Sequence, residues 1–308
     1  MRIAVIGAGG IGAIYGAALA KAGADVTFVA RGAHLAAMRE RGLKIEGDRG
    51  ETQVSPAQAT DDPASIDPVD IVLFCVKLWD VESAGAAIRP IIGPETAVIP
   101  LQNGVDAHER LMPVLGRAVM GGTAFITGSI VAPGVIRQTG TYQRMTFGEL
   151  DGAISTRGKR LAELCAAAGF EGVLSPDVLV PIWDKFTMLV PLANINALTR
   201  APMGKYRPDP DLWALLEGSL RETVAAGRAE GVNLSPDAVD KAVALIRSMP
   251  DHHMTSMGND LLRGNRLELP WFAGKIVELG RKHGVPTPVN SFVYAALKLY
   301  ANGPPVIA

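Results

Sequence analysis

The stretch Arg2-Ile3-Ala4-Val5-Ile6-Gly7-Ala8-Gly9-Gly10-Ile11-Gly12 (RIAVIGAGGIG) decides the fold. Ile3 to Ile6 is a continuous apolar run, the pattern of a strand buried on both faces. Gly7-Ala8-Gly9-Gly10-Ile11-Gly12 then fits G-x-G-x-x-G, and the small-residue run Ile11 to Ala22 continues it as a helix. A lone match to this pattern is weak evidence. Between a buried strand and a helix it carries a mechanism. Gly7 permits the tight turn, Gly9 lets backbone approach a pyrophosphate, and Gly12 lets helix and strand pack closely. The helix N-terminus offers unpaired N–H groups and a positive dipole end. Residues 7–12 are therefore expected to bind a dinucleotide.

The second strand narrows the cofactor. Asp25 to Ala30 (DVTFVA) reads as that strand, and at its end stands Ala30-Arg31-Gly32 with no carboxylate. NAD-specific sites place an acid about 20 residues beyond the glycines, to take the ribose 2′-OH. Arg31 instead offers a planar, permanent charge to a 2′-phosphate, which favours NADPH. FAD fits less well, because its sites usually also carry an acid here. Two further residues follow strands at their carboxyl ends, where open α/β sheets bind ligands. Lys77 follows Asp70 to Val76 (DIVLFCV), and Asn103 follows Ala97 to Leu101 (AVIPL).

Outward from these motifs, the first half alternates apolar strands with helical stretches, the mark of a parallel sheet with crossover helices. Leu43 to Val54 reads as a hairpin turning near Gly47-Asp48-Arg49-Gly50. Ala118 to Ile130 supplies more β structure, and Gly134 to Glu149 reads as edge strands with turns at Gly134 and Gly140. A helix from Ala153 to Ala168 ends at Gly169. Ser175-Pro176-Asp177 reads as an N-cap with proline in the first turn. From there the periodicity is helical: Leu179 to Thr199, Pro210 to Glu230, Pro236 to Ser248, His253 to Arg263, Glu268 to His283 and Val289 to Tyr300. The expectation is an α/β Rossmann-type N-terminal domain over residues 1–172, followed by an all-helical C-terminal domain over residues 173–308.

Composition bounds the rest. At 308 residues, with 48% hydrophobic and 20% charged residues, the chain can bury a sizeable core. A formal net charge of −1 makes no case for nucleic acid or an anionic membrane surface. No apolar run reaches the roughly 20 residues of a membrane-spanning helix, and the N-terminus does not read as a signal peptide. Cytoplasmic is the expected location. Cys75 and Cys165 lie far apart in apolar runs, as buried free thiols, and the five histidines lack metal-ligand spacing.

Taken together, these pieces resemble the ketopantoate reductase (2-dehydropantoate 2-reductase) family. The resemblance runs from Met1 to about Tyr300. It rests on GAGGIG, Arg31, the Val76-Lys77 pair and Gln102-Asn103-Gly104. In the helical half it rests on Trp183-x-Lys185, Ser256-Met257 with Asp260, and Glu268. It implies NADPH-dependent reduction of ketopantoate to pantoate, on the way to pantothenate and coenzyme A. By it, Lys185 is the general acid, Glu268 a substrate-binding carboxylate beside it, and Ser256 the partner of the substrate carboxylate. Asn103 would place the substrate at the nicotinamide, and Lys77 would belong to the cofactor rim.

Two positions depart from the common family pattern. Leu189 stands one turn beyond Lys185, where an asparagine is usual, and the next asparagines are Asn194 and Asn196. The run Leu189-Val190-Pro191-Leu192-Ala193 looks like a short insertion, with Pro191 expected to kink the helix. Either asparagine could then swing into the substrate site, or the pocket is more apolar than usual. His253 also replaces a frequent asparagine. Another NAD(P)-dependent dehydrogenase of a keto or hydroxy acid, and a non-catalytic NADPH-binding regulator, are the alternative readings. The apolar helical half leaves the oligomeric state open, with a homodimer as one option.

Overall fold

The run Arg2–Ile6 forms β1, the middle strand of a five-stranded parallel sheet. The structure, a computed structural model, describes residues 1–305. The chain divides into two units, Met1–Leu179 and a second from Val180 onward. After β1 the first unit continues through α1 (Gly10–Lys21), β2 (Asp25–Val29), α2 (Gly32–Arg41), β3 (Leu43–Gly47), β4 (Thr52–Val54) and β5 (Gln58–Thr60). It proceeds to β6 (Val69–Phe74), α3 (Val81–Ala87), β7 (Ile92–Pro100), α4 (Ala107–Leu115), β8 (Gly121–Ala132) and β9 (Val135–Gly148), then α5 (Thr156–Ala167) and β10 (Glu171–Leu174).

The parallel sheet has the order β5-β2-β1-β6-β7. Its strands are apolar throughout because both faces are covered. Ile3, Val5, Ile71, Leu73 and Ile99 face one core, while Ala4, Ile6, Val72, Phe74 and Val98 face the other. Strand order reverses on either side of β1, so the carboxyl ends of β1, β2, β6 and β7 meet at one edge.

α1 carries no charge before Lys21, and a helix apolar all round must be covered all round. Gly16 lies against Phe28 and Val5 of the parallel sheet. On its other side Tyr15 is fully buried, donates its hydroxyl to the Arg144 carbonyl at 2.7 Å, and packs on Phe170 at 5.1 Å. The second sheet, β10-β9-β3-β4 with β8 also on β9, supplies that cover.

Four expectations change here. β9 is not an edge strand: it pairs antiparallel with β8 and parallel with β3 and β10. Gly140 is not a turn between two strands but sits at φ +75° inside β9, where the register with β8 shifts. β10 was not foreseen, and its pairing with β9 puts residue 172 inside a strand of the α/β unit. Ser175 makes a local turn, its Oγ accepting from the Asp177 N–H at 3.2 Å, and the helix begins only at Leu179.

The second unit is helical. It contains α6 (Leu179–Thr199), which reaches it from the last residue of the first unit, then α7 (Met203–Tyr206) and α8 (Pro210–Ala229). α9 (Ala238–Ser248), α10 (Ser256–Leu262), α11 (Ala273–His283) and α12 (Pro288–Leu297) complete it. Asp209 caps α8, accepting from the N–H groups of Asp211 and Leu212 at 3.0 Å, and Thr255 caps α10. Gly231, Gly264 and Gly284 all take positive φ just beyond helix ends, as their positions in the sequence suggest. Among the described residues, no helix is long and apolar enough to cross a membrane, and no cluster of His, Cys, Asp or Glu could hold a metal.

Candidate active site

The glycine turn is built by three different constraints. Gly7 has φ +96°, and a Cβ there would lie 2.9 Å from the Cys75 carbonyl oxygen. A Cβ on Gly12 would overlap the Gly7 carbonyl oxygen, so helix and turn can close only without it. Gly9 faces open space, with nothing within 4 Å of where a Cβ would stand. That cradle, empty where a side chain would project, suits a dinucleotide backbone. The N–H groups of Gly7 and Ala8 donate to the Val29 carbonyl at 3.1 and 3.0 Å. The amides of Gly10, Ile11 and Gly12 open the first turn of α1, where a helix supplies no carbonyl to receive them.

Gly10 has a reason the motif alone does not reveal. Its Cβ would overlap the Gly128 carbonyl oxygen of β8, so this glycine lets the second sheet close on α1.

The other residues of this edge follow from the topology. Arg31 is exposed at the end of β2, where it starts α2. Lys77, exposed beyond β6, stands 5.5 Å from the Trp79 ring centroid. Asn103 is half-buried beyond β7. Its neighbour Gln102, which the sequence marks only as part of Gln102-Asn103-Gly104, is 7% exposed and donates its amide to the carbonyls of Phe74 and Val76 at 3.0 and 3.1 Å. Gln102 thus fixes the end of β6 that leads to Lys77.

In the helical unit, Lys185 is half-buried on α6 and Glu268 is 4% exposed. Glu268 does not sit in a helix, as the periodicity suggests, but at the entrance of a 3-10 turn over Leu269–Trp271. Pro270 in that turn delays α11 to Ala273. Burial lowers the Lys185 pKa to about 8, and the charge of Glu268 opposes that shift. The ammonium therefore stays mostly charged at neutral pH yet can release its proton easily. Ser256 is exposed in the first turn of α10.

The two asparagines of α6 are fully buried. Asn194 donates to Ser219 Oγ at 3.0 Å and to Asn290 Oδ1 at 2.8 Å. Asn196 donates to the Ala201 carbonyl at 2.9 Å and accepts from the Thr255 N–H at 3.0 Å. Both side chains hold the helical unit together, and α6 continues through Pro191 as one helix.

The family model for ketopantoate reductase PanE/ApbA matches residues 3–152, and the model for its C-terminal region matches residues 177–301. The chain belongs to the ketopantoate reductase family. It is 31% identical to a 2-dehydropantoate 2-reductase of Mesorhizobium japonicum, over 98% of each chain. A ketopantoate reductase family structure from Ralstonia eutropha superposes with a TM-score of 0.90 at 31% identity, covering 98% of both chains. A 2-dehydropantoate 2-reductase structure from Geobacter metallireducens gives 0.90 at 26% identity, over 97% of this chain and 99% of that one. Membership in this family makes the chain an oxidoreductase, with the Rossmann-type and helical domains that its sequence implies.

Proposed function

We propose that the protein reduces ketopantoate to pantoate with NADPH, a step toward pantothenate and coenzyme A. The carrying observation is Lys185, a half-buried lysine whose pKa desolvation lowers to about 8 despite the opposing charge of the buried Glu268 carboxylate. The amides at residues 9–12 would hold the pyrophosphate, Arg31 the 2′-phosphate, and Lys77 and Asn103 the rim toward the nicotinamide. When bound, the nicotinamide supplies a hydride to the keto carbon. The chain's own part is electrostatic and acid chemistry. The carbonyl oxygen gains negative charge as the reaction proceeds, and Lys185 Nζ both stabilises that charge and delivers the proton. Glu268 accepts from a substrate hydroxyl and keeps the lysine charged. Ser256 donates to the substrate carboxylate and fixes which face is attacked.

A second reading is favoured by α6. Leu189 replaces the usual asparagine one turn past the lysine, while Asn194 and Asn196 are engaged inside the unit. Such a pocket would suit an α-keto acid with a more apolar side chain. The deciding experiment follows NADPH oxidation with ketopantoate beside a panel of other α-keto acids. Saturable turnover of ketopantoate above the panel supports the first reading. A preference for an apolar keto acid supports the second, and no turnover on any of them defeats both.

A further inference from the structure

His34 lies in the first turn of α2, three residues after Arg31, and touches the glycine loop directly. Its Nε2 is 2.9 Å from the Ala8 carbonyl oxygen. Its Nδ1 accepts from the Gly134 N–H at 3.0 Å. A backbone N–H can only donate, so Nδ1 is bare, and the ring hydrogen must be on Nε2, where it donates to Ala8. Burial holds the imidazole pKa below its ordinary value, which keeps this neutral form at physiological pH.

One side chain therefore joins three segments that are distant in sequence: the cofactor loop, α2, and the turn between β8 and β9. Gly134 is itself firmly placed. It has φ +79°, its carbonyl accepts from the Lys44 N–H at 2.9 Å, and a Cβ on it would come within 3.2 Å of Ala37 on α2. Ala8 is the residue between the turn glycine and the open glycine, and its own N–H is bound to Val29. Fixing its carbonyl as well leaves its peptide units little freedom. The amide edge that follows is then already aimed before any phosphate arrives, which lowers the entropic cost of binding.

We propose that His34 is a positioning residue for the cofactor, acting through the Ala8 carbonyl to hold the glycine loop in its phosphate-binding shape. The inference rests on the reading of that loop as the dinucleotide site. It differs from the role of Arg31, because a fixed loop serves the pyrophosphate common to NADPH and NADH, whereas Arg31 serves the 2′-phosphate alone.

The test compares dissociation constants for NADPH and NADH, by fluorescence titration, in wild type, His34→Leu, His34→Gln and His34→Asn. Leucine should weaken both cofactors by the same factor, about tenfold for one lost hydrogen bond. Glutamine can place an N–H where Nε2 stood, and should bind both within about twofold of wild type. Asparagine keeps only the acceptor toward Gly134, and should behave like leucine. Thermal unfolding of the three variants separates positioning from folding, since glutamine should rescue affinity whether or not it restores the melting temperature. Unchanged affinity in leucine and asparagine, or equal loss in glutamine, overturns the proposal. Wild type that binds neither cofactor defeats the loop reading itself, and the proposal with it.

Discussion

The ring of Phe186 stands edge-on to that of Phe272, with centroids 6.0 Å apart and planes at 81°. Phe186 is the residue after Lys185, and Phe272 closes the turn that begins at Glu268. The contact between two buried rings thus ties the part of α6 that carries Lys185 to the turn that carries Glu268. Trp183 extends the stack, 5.6 Å from Phe186, and lies against Gly227 of α8. Phe272→Ala should cost about 3–5 kcal/mol of stability, as large-to-small changes of aromatic core residues do. Urea unfolding measures that loss. In the fraction that remains folded, kcat should fall while NADPH affinity holds.

Lys185 sets a pH signature. A general acid of pKa about 8 should leave reduction flat below that value and lower it tenfold per unit above it. Because Glu268 raises the lysine pKa, Glu268→Gln should move this basic limb to lower pH, as read from kcat/KM profiles. Lys185→Ala should lower kcat by about a hundredfold or more with NADPH affinity nearly unchanged. The same shift has a stability consequence. The folded pKa lies below the ordinary lysine value of 10.5, so the unfolded chain holds the proton more tightly. The lysine's cost to stability is full below about pH 8 and fades as pH rises toward that ordinary value.

Arg31 should set cofactor choice. Arg31→Ala should weaken NADPH by roughly ten- to a hundredfold, the worth of a charge-assisted contact, and leave NADH within a few fold. Parallel titrations with the two cofactors decide the matter, and equal losses would remove the arginine from the 2′-phosphate.

Gly9 and Gly10 are adjacent, yet their alanine variants should fail differently. Gly9→Ala has room, so it should keep the melting temperature while obstructing the cofactor. Gly10→Ala must displace the Gly128 backbone, and should fold poorly or not at all. Melting curves with and without NADPH separate the two outcomes.

Asn290 joins the buried network of the helical unit. Its Nδ2 donates to Glu222 Oε2 at 2.6 Å, its Oδ1 accepts from Asn194 at 2.8 Å and Ser219 at 3.1 Å, and Glu222 also accepts from the N–H groups of Val289 and Asn290. Asn290→Ala leaves these groups short of partners and should cost about 1–3 kcal/mol. Its KM for the keto acid should stay near wild type, which denaturation curves and steady-state kinetics together establish.

Local chemistry made much of this protein legible from its sequence. The strand β1, the glycine turn and α1 follow from hydrophobic runs and glycine spacing, because a parallel strand covered on both faces needs an unbroken apolar run and a tight turn needs residues without a Cβ. Arg31, Lys77 and Asn103 could be placed at the carboxyl edge of the sheet because each comes within three residues of the end of a strand. The helix ends at Gly231, Gly264 and Gly284 were visible for the same local reason.

Contacts between distant segments were decided by the tertiary structure alone. Gly10 needs Gly128, His34 needs Ala8 and Gly134, and β9 becomes a central strand only because β8, β3 and β10 find it. Lys185 reads in the sequence as a lysine on an apolar helix. Its lowered pKa comes from burial, opposed by the charge of Glu268, 83 positions away by residue number. Asn194 and Asn196 look free to meet a substrate until Ser219, Asn290, Ala201 and Thr255 are seen to engage them. Spacing along the chain encodes local conformation, whereas desolvation and the satisfaction of buried polar groups depend on neighbours that only the folded chain brings together.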